Sequence, residues 1–171
     1  AQRNKAQEIL LNELKSERYL DLVRRLQQAA QDPTAVESTV TLRDLAKDEF
    51  TKLRDAIRQA GPTPTNATIH ETRIKTKRAR YAAELAEPTV GKPATRFINK
   101  ARVAQDVLGM HQDAIQAEAH IREFLKHSTS TRAAFVAGRM VERQRQRREK
   151  ARRKMERILR SLIKRGEKAW G

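Results

Sequence analysis

No cysteine occurs anywhere in the 171 residues. That removes disulfides, thiolate metal sites and cysteine nucleophiles from consideration. Aromatic residues make up only 4% of the chain, too few for a module that reads single-stranded nucleic acid by stacking bases on aromatic platforms. No apolar run reaches membrane-spanning length and no signal-peptide pattern is present, so the expectation is a soluble cytoplasmic protein with no membrane partner. Acidic residues are outnumbered, 21 against 37 lysines and arginines, for a formal net charge of +16. So much like charge repels itself, and it implies an anionic partner.

The length suits one domain with a sizeable core. Proline placement suggests how that domain is divided. Pro33, Pro62, Pro64, Pro88 and Pro93 cluster in three connectors, leaving long 3.6-periodic segments between them. The predicted fold is all-α, an antiparallel helical bundle whose two C-terminal helices are long. Helices are expected over 2–15, 16–30, 41–60, 65–86, 94–126 and 131–169, with Ser16 and Thr41 as N-caps. Gly61 and Gly91 mark turns, and short connectors favour antiparallel neighbours.

Within residues 69–85, IHETRIKTKRARYAAEL, the side chains of His70, Arg73, Lys77, Arg80 and Glu84 fall within about one quadrant of a helix turning 100° per residue. Ile74, Tyr81 and Leu85 lie beside that stripe and are the expected buried side. The cations would then flank the core instead of facing away from it, as an ordinary amphipathic helix would arrange them.

The last two helices show the same mixture. Residues 139–168 hold fourteen Lys or Arg against four Glu. Glu149 with Arg153 and Glu156 with Arg160 stand four apart and read as solvated pairs. Arg145, Arg148 and Arg152 interrupt the apolar series of Val141, Ala151, Met155, Leu159 and Leu162. Without an anion, their burial would cost several kcal/mol per ion. In the preceding helix Lys100 and Arg122 share the sector of Phe97, Ala101, Ala104, Leu108, His111, Ile115 and Leu125. His111 there reads as a core histidine ahead of a ligand-binding one, Gly109 as a point of close helix approach, and Asp113 as a structural partner for a cation.

The run at 69–85, followed by residues 104–114, AQDVLGMHQDA, resembles the second half of a conserved histidine α-helical (CHAD) domain, over roughly residues 10–162. The resemblance implies one half of a fold of two four-helix bundles that binds inorganic polyphosphate, often beside a triphosphate-tunnel hydrolase domain. It aligns His70 and Arg73 with the family's His-x-x-Arg motif, and Lys77, Arg78 and Arg80 with its basic positions. His111 and Asp113 align with the motif after the Leu-Gly pair. The first half of the family's domain has no counterpart here, so a missing N-terminal half or a second chain is an expected partner. Association with polyphosphate granules is the matching expectation for location.

The residues themselves argue for the same ligand. A linear phosphate polymer has no bases to read, and cations at i, i+3 and i+4 on a rigid helix repeat about every 5–6 Å. The candidate polyphosphate-binding residues are His70, Arg73, Lys77, Arg78, Arg80, Lys100, His111, Arg145, Arg148 and Arg152. His70, Arg73, Lys77 and Arg80 are expected to share one cleft with Lys100, Arg148 and Arg152, and to collect phosphate or sulfate ions there. The alternative is a nucleic-acid or ribosome-associated basic helical protein using the same faces on a sugar-phosphate backbone. His70, His111, His120 and His127 lack metal-ligand spacing on one helix face. With no P-loop and no poised nucleophile either, no enzymatic activity, metal or cofactor is expected.

Overall fold

The computed structural model describes residues 2–32 and 39–171. Pro33 lies outside them. The chain forms six helices and, among the described residues, no strand. It separates into two compact units, one up to Thr39 and one from Val40.

The first unit holds α1 (Gln2–Leu14) and α2 (Glu17–Gln31). They are two helices, divided at Ser16. That side chain accepts from the Tyr19 N–H at 3.2 Å and donates to the Glu13 carbonyl at 2.7 Å, so it caps α2 while closing α1. Ile9, Leu10, Leu14, Leu20, Leu22 and Leu26 are all exposed, and α2 buries no residue.

The second unit contains α3 (Leu42–Ala60), α4 (Asn66–Val90), α5 (Lys92–Lys126) and α6 (Thr131–Trp170). Thr41 caps α3 in a reciprocal box: its hydroxyl accepts from the Asp44 N–H at 3.1 Å, and the Asp44 carboxylate accepts from the Thr41 N–H at 3.0 Å. The Thr41 donors hold the Asp44 carboxyl below its ordinary range. Thr65 and Ser130 cap α4 and α6 by accepting from the Thr68 and Ala133 N–H, without the reciprocal bond. Helices α3 and α4 pack together, as do α4 with α5, α5 with α6, and α6 with α3, so α4 and α6 stand diagonally. The α4–α5 partners Glu87 with Thr95 and Glu84 with Arg102 pair rising numbers with falling ones, an antiparallel order.

Two expectations about α4 change. Pro88 lies inside the helix, within its last turn, and it costs the helix the bond its missing N–H would have given to the Glu84 carbonyl, at a point where little helix follows. The reversal into α5 then occupies the single residue Gly91, at φ 72°, a conformation that only glycine adopts without cost. The buried face is also different. Ile74, Tyr81 and Leu85 are exposed, and the core side consists of Ile69, Thr72, Thr76, Ala79, Ala83 and Ala86. The Thr72 and Thr76 hydroxyls bond back to the Thr68 and Thr72 carbonyls at 2.8 and 2.7 Å. Their polarity is thereby met within the helix, and they can be buried.

Small residues on α4 meet small residues on α5, where Ala94, Ala101 and Ala104 are fully buried. Phe97 closes this end of the core, edge-on to Phe50 at 5.7 Å and to Trp170 at 6.0 Å. The Phe50 ring lies on the backbone of Gly166: a Cβ there would come within 1.9 Å of it. Towards the other end, Ile69, Val107, Leu108, Ala151 and Met155 form a second cluster. No helix among the described residues is long and apolar enough to cross a membrane.

Candidate functional site

Partners given by α5 fix the orientation of the α4 stripe. Glu84 of α4 accepts from Arg80 on its own helix at 2.7 Å and from Arg102 of α5 at 3.1 Å. Arg73 lies over Gly109 of α5, its Nε about 4.0 Å from where a Cβ would be. Gly109 thus lies under an arginine side chain, at ordinary contact distance, and not under a tightly approaching helix backbone. His70, Arg73, Lys77 and Arg80 therefore run along the α4–α5 groove, and at 1.5 Å per residue they cover about 15 Å.

The cations of this row differ in how much charge they keep. Arg80 is neutralised by Glu84 and stacks on Tyr81, its guanidinium carbon 4.4 Å from the ring centre. Lys77 approaches the same ring at 5.9 Å. Neither Lys77, Arg73 nor the exposed His70 has a carboxylate within ion-pair distance among the described residues, so the middle of the row carries uncompensated positive charge. Arg78 projects among the exposed apolar residues Ile74, Tyr81 and Leu85, away from the groove.

At the N-terminal end of α4 the row meets α6. Arg152 donates from Nε to the Nε2 of His111 at 3.1 Å and from Nη2 to the Oδ1 of Asn66 at 2.9 Å, joining α4, α5 and α6. Both acceptors are neutral. Arg152 is thus oriented without being neutralised, and its Nη1 has no partner. His111 is fully buried. Its pKa is pushed down to about 4, first by burial and then by the charges of Arg152 and Arg148. Since Nε2 accepts, the imidazole proton must sit on Nδ1, an atom that is buried with no hydrogen-bond partner. The histidine predicted as a binding residue is therefore closed off from solvent, and its one hydrogen-bond partner among the described residues is Arg152.

Arg145 and Arg148 are not unpaired, as the sequence suggested. Glu118 of α5 receives Arg122 Nε and Nη2 at 3.0 and 2.8 Å, Arg148 Nη1 at 3.4 Å, and Arg145 Nε at 3.6 Å. Its carboxyl is held below the ordinary range, chiefly by the Arg122 hydrogen bonds, then by the Arg122, Arg148 and Arg145 charges. Asp113, expected to neutralise a cation, is exposed and has no ion-pair partner among the described residues. Arg153 and Arg160 pair with Glu149 and Glu156 in the open, as expected.

The predicted residues do not converge on a single cleft. Between the level of Arg102 and that of Glu118, α5 rises about 24 Å, with Arg80 at one end and Arg148 at the other. Lys100 is half-buried and unpaired among the described residues, about 16 Å along α5 from His111. What the sequence reading missed is Asn66, Glu118 and Arg102. The one signal available was Glu118, seven residues after His111 on the same face of the helix. Among the described residues no cluster of three or more His, Asp or Glu could hold a metal ion.

A sequence model of the CHAD domain family matches residues 1–122. The α4 row, His111 and Glu118 fall inside the match; Arg145, Arg148 and Arg152 lie beyond it. Two uncharacterized proteins of Mycobacterium tuberculosis, from strains CDC 1551 and H37Rv, are each 28% identical to the chain over 165 residues. The alignment covers 91% of this chain, which spans only 31% of the length of either relative. No solved structure matches the chain.

Proposed function

The chain belongs to the CHAD domain family, and from that premise we propose that it is a binding module for inorganic polyphosphate, which it holds without turning it over. The observation that carries this reading is the uncompensated charge along the α4–α5 groove. His70, Arg73 and Lys77 stand one helical turn apart with no carboxylate of the described residues within ion-pair distance, and Arg152, oriented by neutral groups, extends their line onto α6. Each can donate to a phosphate oxygen, Arg152 through Nη1 and Arg73 with two parallel N–H donors.

A nucleic-acid backbone would find the same cations. Two features favour the polymer without bases. Tyr81, the aromatic beside the row, has its ring occupied by Arg80 and Lys77, so a base would have to displace a cation in order to stack. The groove is also set on long, mutually packed helices, a rigid frame for a repeating charge and not an adaptable loop surface.

Competition at equal phosphate concentration tests the proposal. Long-chain polyphosphate is expected to displace bound duplex DNA or RNA, and neither duplex to displace polyphosphate. Displacement in the reverse sense would favour the nucleic-acid reading.

A further inference from the structure

The bundle is open where α3 hands over to α4. Between the end of α3, the connector after Gly61, the first turns of α4 and the middle of α6 runs a groove of about 580 Å³, a volume in the small-molecule range. It exists because α4 and α6 are diagonal neighbours, and because a connector carrying Pro62 and Pro64 cannot fold over as another helical turn.

The chemistry of the groove differs from that of the α4 row. Its floor is apolar, formed by Ile57, Ile69, Met155, Leu159 and Ile163. A phosphate chain gains nothing from hydrocarbon and would lose hydration against it. The rim carries four arginines, Arg58, Arg152, Arg153 and Arg160, and one carboxylate, Glu156. Arg153 and Arg160 are neutralised by glutamates on their own helix, whereas Arg58 and Arg152 have no carboxylate partner among the described residues. Arg152 is held at the edge by His111 and Asn66 with Nη1 unoccupied, so the orientation of its guanidinium is fixed before any ligand arrives.

An apolar trough beside an oriented, uncompensated guanidinium matches a ligand with one anionic end and a hydrocarbon or aryl body. We propose that this groove is a second binding site, for amphipathic phosphomonoesters or carboxylates: the anion on Arg152, the apolar body over Met155 and Leu159. It shares Arg152 with the proposed polyphosphate row and is otherwise separate from it, so a bound amphiphile would compete with the end of a polyphosphate chain.

Methionine-methyl NMR gives a local readout, because the chain has three methionines and only Met155 lines the groove. Octyl phosphate is the probe, with octyl glucoside and inorganic phosphate as controls. We expect octyl phosphate to move the Met155 signal saturably while Met140 stays still, and octyl glucoside to bind at least 10-fold more weakly. Arg152→Ala should weaken octyl phosphate at least 10-fold. Ala60→Trp, which fills the groove from the end of α3, should abolish it while leaving polyphosphate affinity within about 2-fold. Thr63→Trp, on the connector outside either helix, supplies the same block should the α3 variant fail to fold. An unmoved Met155, equal binding of octyl glucoside, or undiminished octyl phosphate binding in the blocked variant overturns the proposal. Polyphosphate titrated in parallel keeps the two readings apart, since loss of polyphosphate binding by wild type with octyl phosphate retained would remove only the first.

Discussion

Arg152 donates its Nε–H to the Nε2 of His111 at 3.1 Å, so a neutral imidazole anchors a cation. The pair is stable only while the imidazole stays unprotonated. Protonation would place an N–H where the lone pair now accepts, and a second positive charge against the guanidinium.

Stability should therefore depend on pH through His111. In the folded chain its pKa is about 4, against an ordinary 6.5. Between those values the unfolded chain binds more protons, and stability rises with pH. The contribution is complete above pH 6.5 and lost as pH falls towards 4, by on the order of 3 kcal/mol for a shift of that size. His111→Gln retains an acceptor for Arg152 without titrating, and urea midpoints over pH 4–7 should fall less steeply in the variant than in wild type. Parallel slopes would show that the histidine is not the titrating group.

Gly166 and Gly138 both sit inside α6 and should respond to alanine in opposite ways. A Cβ at Gly166 would lie 1.9 Å from the Phe50 ring, itself wedged against Phe97, whereas one at Gly138 meets nothing within 4 Å. Gly166→Ala is expected to destabilise by about 1–3 kcal/mol through overpacking. Gly138→Ala should stabilise by about 0.5–1 kcal/mol, the difference in helix propensity. Thermal unfolding of both reads out the contrast.

Much of the helical frame could be read in the sequence because its signals are local: Ser16 and Thr41 as caps, Gly61 and Gly91 as stops, the unbroken periodicity of α5 and α6. The inner face of α4 could not. Hydrophobicity favoured Ile74, Tyr81 and Leu85, but close packing against α3 and α5 selects the narrow Thr72, Thr76, Ala79 and Ala83, whose hydroxyls are satisfied within the helix. The α4 cation row followed from spacing alone. The state of each cation did not, because Glu118 reaches Arg145 and Arg148 only once α5 and α6 pair, and Asn66 reaches Arg152 from 86 residues away.

Glu118 is in effect a built-in competitor for the α6 arginines. At neutral pH it is ionised, since its carboxyl lies below the ordinary range, and it holds Arg122, Arg145 and Arg148 together. Glu118→Gln keeps a hydrogen-bonding side chain and removes the charge. Polyphosphate affinity should rise by roughly 3-fold, an effect under about 1 kcal/mol, as suits a partly solvated cluster. Unchanged affinity at fixed ionic strength would place Arg145 and Arg148 outside the binding path.

Arg73 and Lys77 should contribute most to polyphosphate binding, since they are the α4 cations that lie in the groove without a carboxylate. Replacing both with alanine is expected to lower affinity by on the order of 10-fold or more, charge-assisted bonds contributing about 1.5–3 kcal/mol each. The helix should survive, because alanine is the better helix former. Replacing Arg153 and Arg160 removes the same formal charge from exposed pairs with Glu149 and Glu156 and should change affinity little. Binding by wild type should weaken steeply with added salt, through counterion release, and should persist with divalent metal chelated. The comparison of the two double variants at one ionic strength decides whether there is a site at all. A loss confined to Arg73 and Lys77 means that geometry selects the cations, whereas equal losses mean that the polymer responds only to total charge, in which case neither the groove nor the row has a specific role.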